Sequence, residues 1–164
     1  MIETYAPGVR APEAGAAYWL VGHKYVFKVR GADTGGGMAM VHATIPHAPG
    51  APPHIHTRED EVFYVLDGEI TVMLDGQVSK AGPGSTVMLP RNVKHTFWNE
   101  SGETAHMLIH STPAGLEEFF AEAGAPVGAE DTGPPEMTPE MIERLFETAE
   151  KYGIIIDRPE GPMG

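Results

Sequence analysis

His54 and His56, one residue apart, and Glu61, five residues further on, are the first positions in the chain whose types and spacing can do chemistry. On an extended strand, residues i and i+2 share a face, so both imidazoles can reach one point. Glu61 opens the run Glu61-Val62-Phe63-Tyr64-Val65-Leu66. That run is β-branched and aromatic, which reads as a strand, and Asp67-Gly68 closes it with a hairpin-turn signal. A short turn through residues 57–60 brings Glu61 beside the histidines. Two ring nitrogens and a carboxylate oxygen on neighbouring strands suit one divalent transition metal, with Fe, Mn, Ni, Co, Cu and Zn all compatible. Taken alone, the pair is better explained as two exposed histidines on an edge strand.

A second segment changes that balance. Gly84 to Asn99 carries Pro90, Asn92 and a third imidazole, His95, after a turn at Pro90-Arg91-Asn92. The two stretches resemble the paired motifs of the cupins, G-x5-H-x-H-x3-4-E-x6-G and G-x5-P-x-G-x2-H-x3-N. The first fits from His54 to Gly68 and the second from Gly84 to Asn99. Two positions depart from the pattern. Gly50 lies slightly too close to His54, and Asn92 stands where the family has a turn glycine. Asn is the next-best residue at positive φ, so the turn survives. The resemblance implies that His54, His56, Glu61 and His95 hold one metal ion. It also implies an all-β fold, the double-stranded β-helix or jelly-roll barrel of the cupins.

The rest of the chain must position these groups. Alternating apolar runs predict about nine short strands: 17–21, 24–30, 38–45, 61–66, 70–74, 78–81, 86–89, 94–99 and 104–111. Turns at Asp75-Gly76, Gly82-Pro83-Gly84 and Ser101-Gly102 separate several of them. Such spacing marks an all-β sandwich or barrel. After Ser111 the period lengthens. Thr112 and Pro113 read as a helix start ahead of Leu116, Phe119, Phe120 and Ala123, with Gly124 as the stop. Thr138 and Pro139 repeat the signal ahead of Met141, Ile142, Leu145, Phe146, Ala149 and Tyr152. Three regions follow: an arm over 1–16, a barrel over 17–112 and a helical extension over 113–164 packed on the barrel. The helices are too short to stand alone and must dock, as a cover for the barrel or as a lid. Residues 113–124 are similar to the segment after the barrel in small bacterial flavonol (quercetin) 2,3-dioxygenase-like cupins.

Strand alternation also predicts pocket walls. If Glu61 and His95 point inward, so do Phe63, Phe97 and Asn99, with Met38, Met40 and His42 as a neighbouring face. His42 and His106 are candidates to orient a ligand, whereas Glu59 and Asp60 are expected to face solvent. An apolar, aromatic pocket suits a small aromatic or enolisable substrate. In the flavonol dioxygenases that the chain resembles, the metal binds the deprotonated substrate, the motif glutamate is both ligand and base, and dioxygen opens the ring. Carried over, Glu61 is the catalytic residue and the chain is a dioxygenase. A metal-dependent isomerase or lyase, or a small-ligand-binding module without turnover, would use the same ligands.

Composition excludes other classes. The 164 residues contain no cysteine, so any metal is held by nitrogen and oxygen. With 11 basic and 23 acidic residues the formal net charge is −12, which repels phosphate backbones and anionic lipid. Neither nucleic acid nor membrane is an expected partner. No apolar run approaches the ~20 residues of a membrane span, and the start lacks the features of a signal peptide, so a cytoplasmic location is expected. Val26 interrupts the charged face of Lys24, Lys28 and Arg30. That face is therefore expected to be covered, by a second copy in a homodimer or by the chain's own tail.

Overall fold

The computed structural model describes residues 7–158; residues 1–6 of the expected arm and 159–164 of the expected extension lie outside the described residues. Ten strands precede the first α-helix. They are β1 (Ala17–Leu20), β2 (His23–Val29), β3 (Ala39–Ile45), β4 (His54–His56), β5 (Asp60–Asp67), β6 (Ile70–Leu74), β7 (Gln77–Ala81), β8 (Thr86–Leu89), β9 (His95–Trp98) and β10 (Ala105–Thr112). α1 (Leu116–Ala123), β11 (Ala125–Pro126), α2 (Pro139–Lys151) and β12 (Ile154–Ile156) follow.

These strands form two antiparallel sheets, the all-β jelly roll that the alternation predicts. One runs β11-β1-β2-β3-β10-β5-β8 and the other β12-β4-β9-β6-β7. Apolar residues from both inner faces fill the space between them. Phe27, Val41, Ile45, Phe63, Val65, Ile70, Met107 and Ile109 are each at most 2% exposed. Turn chemistry sets the register. Asp75 (φ 48°) and Gly76 (φ 80°) make the tight β6–β7 hairpin, in which both central residues adopt positive φ. Asn92 takes φ 65° and its amide donates to the His56 carbonyl at 2.8 Å, so the departure from glycine costs the turn nothing visible.

The region after the barrel differs from expectation in two ways. Thr112 stays in β10, paired with Asp60, and α1 begins only at Leu116. The buried Glu117 carboxylate replaces the expected cap, accepting from the Gly115 amide at 2.9 Å and the Gly31 amide at 2.7 Å. α2 starts as read, with Thr138 accepting from the Met141 amide at 3.3 Å. The region also contributes strands to both sheets: β11 pairs with β1, and β12 pairs with β4. Two-residue and three-residue strands carry too little periodicity to be seen in sequence. Among the described residues no helix is long and apolar enough to cross a membrane.

Candidate metal centre

Four inward side chains meet where the two sheets face each other. His54 and His56 stand on β4, and His95, directly across from His54 in register, stands on β9. Glu61 reaches in from β5 of the opposite sheet. The ring centroids lie 4.6 Å (His54–His95), 5.0 Å (His54–His56) and 5.3 Å (His56–His95) apart. One nitrogen from each ring lies within 4.8 Å of the others. Donors bound at 2.0–2.1 Å to one ion stand no more than about 4 Å apart, so small ring rotations complete the cage.

Backbone carbonyls fix which nitrogen is available. His54 Nδ1 is 2.9 Å from the Pro52 carbonyl and His95 Nδ1 is 3.1 Å from the Val93 carbonyl. A carbonyl can only accept, so in both rings Nδ1 carries the proton and Nε2 presents a bare lone pair. His95 Nε2 is buried and has no hydrogen-bond partner. The third ring stands between two carboxylates, with no hydrogen bond to its Nδ1. His56 Nδ1 lies 3.8 Å from Glu59 Oε2, and His56 Nε2 lies 3.2 Å from Glu61 Oε2. The same Glu61 oxygen is 3.2 Å from His95 Nε2.

The electrostatics follow from this crowding. Burial pushes the His54 imidazole down to about 4, helped by repulsion from His56 and His95. Burial also lowers His56, but Glu61 and Glu59 outweigh it and leave the ring above its ordinary value. Burial alone would raise Glu61; the charge of the facing His56 imidazole is the largest opposing effect and holds it down at about 2. A carboxylate ionised among imidazole lone pairs, with orphaned nitrogen inside the cage, fits a divalent transition metal held by nitrogen and oxygen.

A small apolar pocket opens above the cage. His54, His56, Glu61 and Phe97 form one end of its lining. Leu20 and Tyr25 line it from the barrel, Leu116, Phe119 and Phe120 from α1, Leu145 from α2, and Ile154 and Ile156 from β12.

Several expected pocket residues lie elsewhere. Met38 precedes β3, and Met40 and His42 sit on that strand's outer side. The inward positions belong to Ala39, Val41, Ala43 and Ile45, each at most 2% exposed. Both faces of that strand carry apolar residues, and the small alanines suit the side already crowded by large core side chains. His42 and His106 stack on each other on the outer face, 5.4 Å apart, far from any role in orienting a ligand. Asn99 is buried but serves its own loop, donating to the Ile45 carbonyl at 2.8 Å and accepting from the Ser101 amide at 2.9 Å. Phe63 supports Phe97 edge-on from the core, 5.2 Å away, and is not itself part of the lining. Glu59, expected in solvent, is 4% exposed beside His56, whereas Asp60 does face outward and pairs with Arg91 at 2.7 Å. Sequence reading missed Tyr25 as a pocket residue. Its alternation with Phe27 put it on an apolar face, but nothing local said that this face looks at the metal ligands.

Comparison with known proteins agrees with the geometry. Residues 41–111 match the family model described as the cupin domain. A quercetin 2,3-dioxygenase of Bacillus subtilis (strain 168) is 27% identical over 127 residues, 77% of this chain and 37% of that protein. Polyketide synthase CurC of Streptomyces cyaneus is 33% identical over 60 residues, 37% of this chain and 39% of its own. The chain thus spans under two-fifths of the length of these two curated relatives. The structure of KdgF from Halomonas sp. superposes with a TM-score of 0.54 at 18% identity, covering 62% of this chain and 89% of that one. The match to the cupin domain falls on the stretch that carries His54, His56, Glu61 and His95.

Proposed function

We propose that the chain is a metal-dependent dioxygenase acting on a small aromatic or enolisable substrate, with one divalent transition metal held by His54, His56, His95 and Glu61. One observation carries this reading: three imidazoles, two with Nδ1 tied to a backbone carbonyl, converge with an ionised carboxylate at the end of an apolar, aromatic-lined pocket. The likeness to a quercetin 2,3-dioxygenase supports the same reaction class. When bound, the metal would supply Lewis acidity toward an enol or phenol oxygen and a place for dioxygen.

The chain's own groups do the rest. Phe97, Phe119 and Phe120 offer flat apolar walls that orient a ring and exclude water. Glu61 takes the substrate's hydroxyl proton. Because the facing His56 holds it near 2, it becomes a useful base only as it swings away from that ring. The test is elemental analysis of the native protein, followed by dioxygen uptake with flavonols, catechols and β-diketones after restoring each metal. Uptake that disappears in Glu61→Gln is the expected result. No uptake with any substrate and any metal overturns the proposal.

An isomerase or lyase is a second reading because it needs a proton-carrying group beyond the ligands. His42 does not supply one, but Tyr25 is among the residues that line the pocket. Turnover that persists without dioxygen selects this reading. For assembly we favour a cytoplasmic homodimer. Tyr64, Leu66 and Met88 are 46, 44 and 60% exposed on the outer face of the seven-stranded sheet, where a second copy would cover them. A monomeric mass in sedimentation rejects the dimer.

A further inference from the structure

His23 and Tyr25 form a buried pair that the proposed chemistry leaves unused. His23 is fully buried on β2, stacked on Phe97 with centroids 5.3 Å apart. Its Nδ1 lies 3.3 Å from the Tyr25 hydroxyl, and its Nε2 is buried without a partner. Tyr25 lies flat on Phe120 of α1, 4.2 Å between centroids, and lines the pocket beside Glu61 and Phe97. Among the described residues, its hydroxyl has no hydrogen-bond partner but His23.

The orphaned nitrogen decides the proton positions. Burial holds His23 down at about 4, so near neutrality the ring carries one proton. Placing it on Nε2 would bury a donor with nothing to accept it, the costlier way to leave a polar atom unpaired. The proton therefore sits on Nδ1 and is donated to the Tyr25 oxygen. Tyr25 cannot then spend its own proton on His23. Burial, with help from the Glu61 charge, raises the phenol well above its ordinary value, so the hydroxyl remains a donor.

We infer that the Tyr25 hydroxyl donates a hydrogen bond to an oxygen atom of the pocket's ligand, and that His23 is the positioning residue that turns this proton toward the pocket. The inference rests on the reading of the pocket as a substrate site. The chemical class it selects is a flat apolar molecule bearing a hydroxyl, enol or carbonyl oxygen at the end nearer Tyr25.

Two measurements test it. Nitrogen NMR of His23 in the folded protein should show a protonated Nδ1 and a bare Nε2; a protonated Nε2 overturns the inference whatever the substrate. The second measurement compares 2-naphthol with naphthalene, both fluorescent, on the metal-reconstituted protein. The native chain should prefer 2-naphthol. Tyr25→Phe should shrink that preference about tenfold, while naphthalene affinity and metal content hold. His23→Leu should shrink it similarly although Tyr25 is intact, and His23→Gln, whose amide can still donate to Tyr25, should restore it. An undiminished preference in Tyr25→Phe overturns the inference. If the native chain binds neither compound, the aromatic substrate class fails instead, and the nitrogen spectrum alone decides the role of Tyr25.

Discussion

Each imidazole in the cage does work that a neighbouring atom assigns to it. His95 is held by one carbonyl and leaves a bare nitrogen buried among the other ligands. Replacing it with alanine should cut the metal retained after dialysis at least about tenfold, read by elemental analysis, with the fold intact by circular dichroism. His23 gives a pH prediction. Its value in the folded state, about 4, lies below the ordinary 6.5. Between those values the unfolded chain binds the extra proton and the folded chain does not. Its contribution therefore favours folding above about pH 6.5 and is progressively lost as pH falls toward 4. In denaturant titrations the native chain should lose up to about 3 kcal/mol more than His23→Phe over that interval. Equal losses would mean that the ring is hydrated when folded. The His54–His56 pair was legible in sequence because i and i+2 share a face of one strand, whereas His95 was legible only through its motif and the placing of Glu61 on the opposite sheet was not. Glu59 was misread for the same reason. Its neighbours in sequence are polar, while in the fold Gly115, distant in the chain, comes so close that an added Cβ would lie 3.3 Å from the carboxylate.

At the level of elements, close backbone approaches hold the ligand strands in place. Gly50 has φ 76°, and a Cβ there would stand 2.1 Å from the Phe97 carbonyl oxygen on β9, two residues from His95. Gly50→Ala should cost at least about 2 kcal/mol in urea unfolding. Gly76→Ala, in an exposed turn at φ 80° with open space around it, should cost about 1 kcal/mol. Equal costs would remove the argument that crowding against β9 matters. Elements were legible where one face was clearly apolar, as on β5. They were ambiguous on β3, where Met40 and His42 competed with Val41 and Ile45 for the inside. The pocket walls from α1, α2 and β12 were out of reach. Their apolar stripes announce that they dock, and only the folded chain shows against what.

Across the whole molecule, the cage joins the two sheets: its three imidazoles belong to one and the Glu61 carboxylate to the other. A bound ion would therefore stabilise the packing of the entire barrel, beyond one hairpin. At a free metal concentration of 100 Kd the gain is about 2.7 kcal/mol. For a chain of 164 residues this is a rise of about 5–10 °C in Tm, reversed by a chelator. His54→Ala/His95→Ala should show no such rise in calorimetry, and a comparable rise would place the ion elsewhere.

β12 is the outermost strand of its sheet and the neighbour of β4, which bears His54 and His56. Contacts from the Asp157 amide to the Pro53 carbonyl and from the Thr57 amide to the Gly153 carbonyl clamp both ends of that pairing. Grip on a bound ion and attachment of β12 would thus share one free energy, and linkage makes the exchange mutual. Loading the metal should slow proteolytic clipping between 127 and 137, and a chain severed there and stripped of its final segment should release its ion more readily.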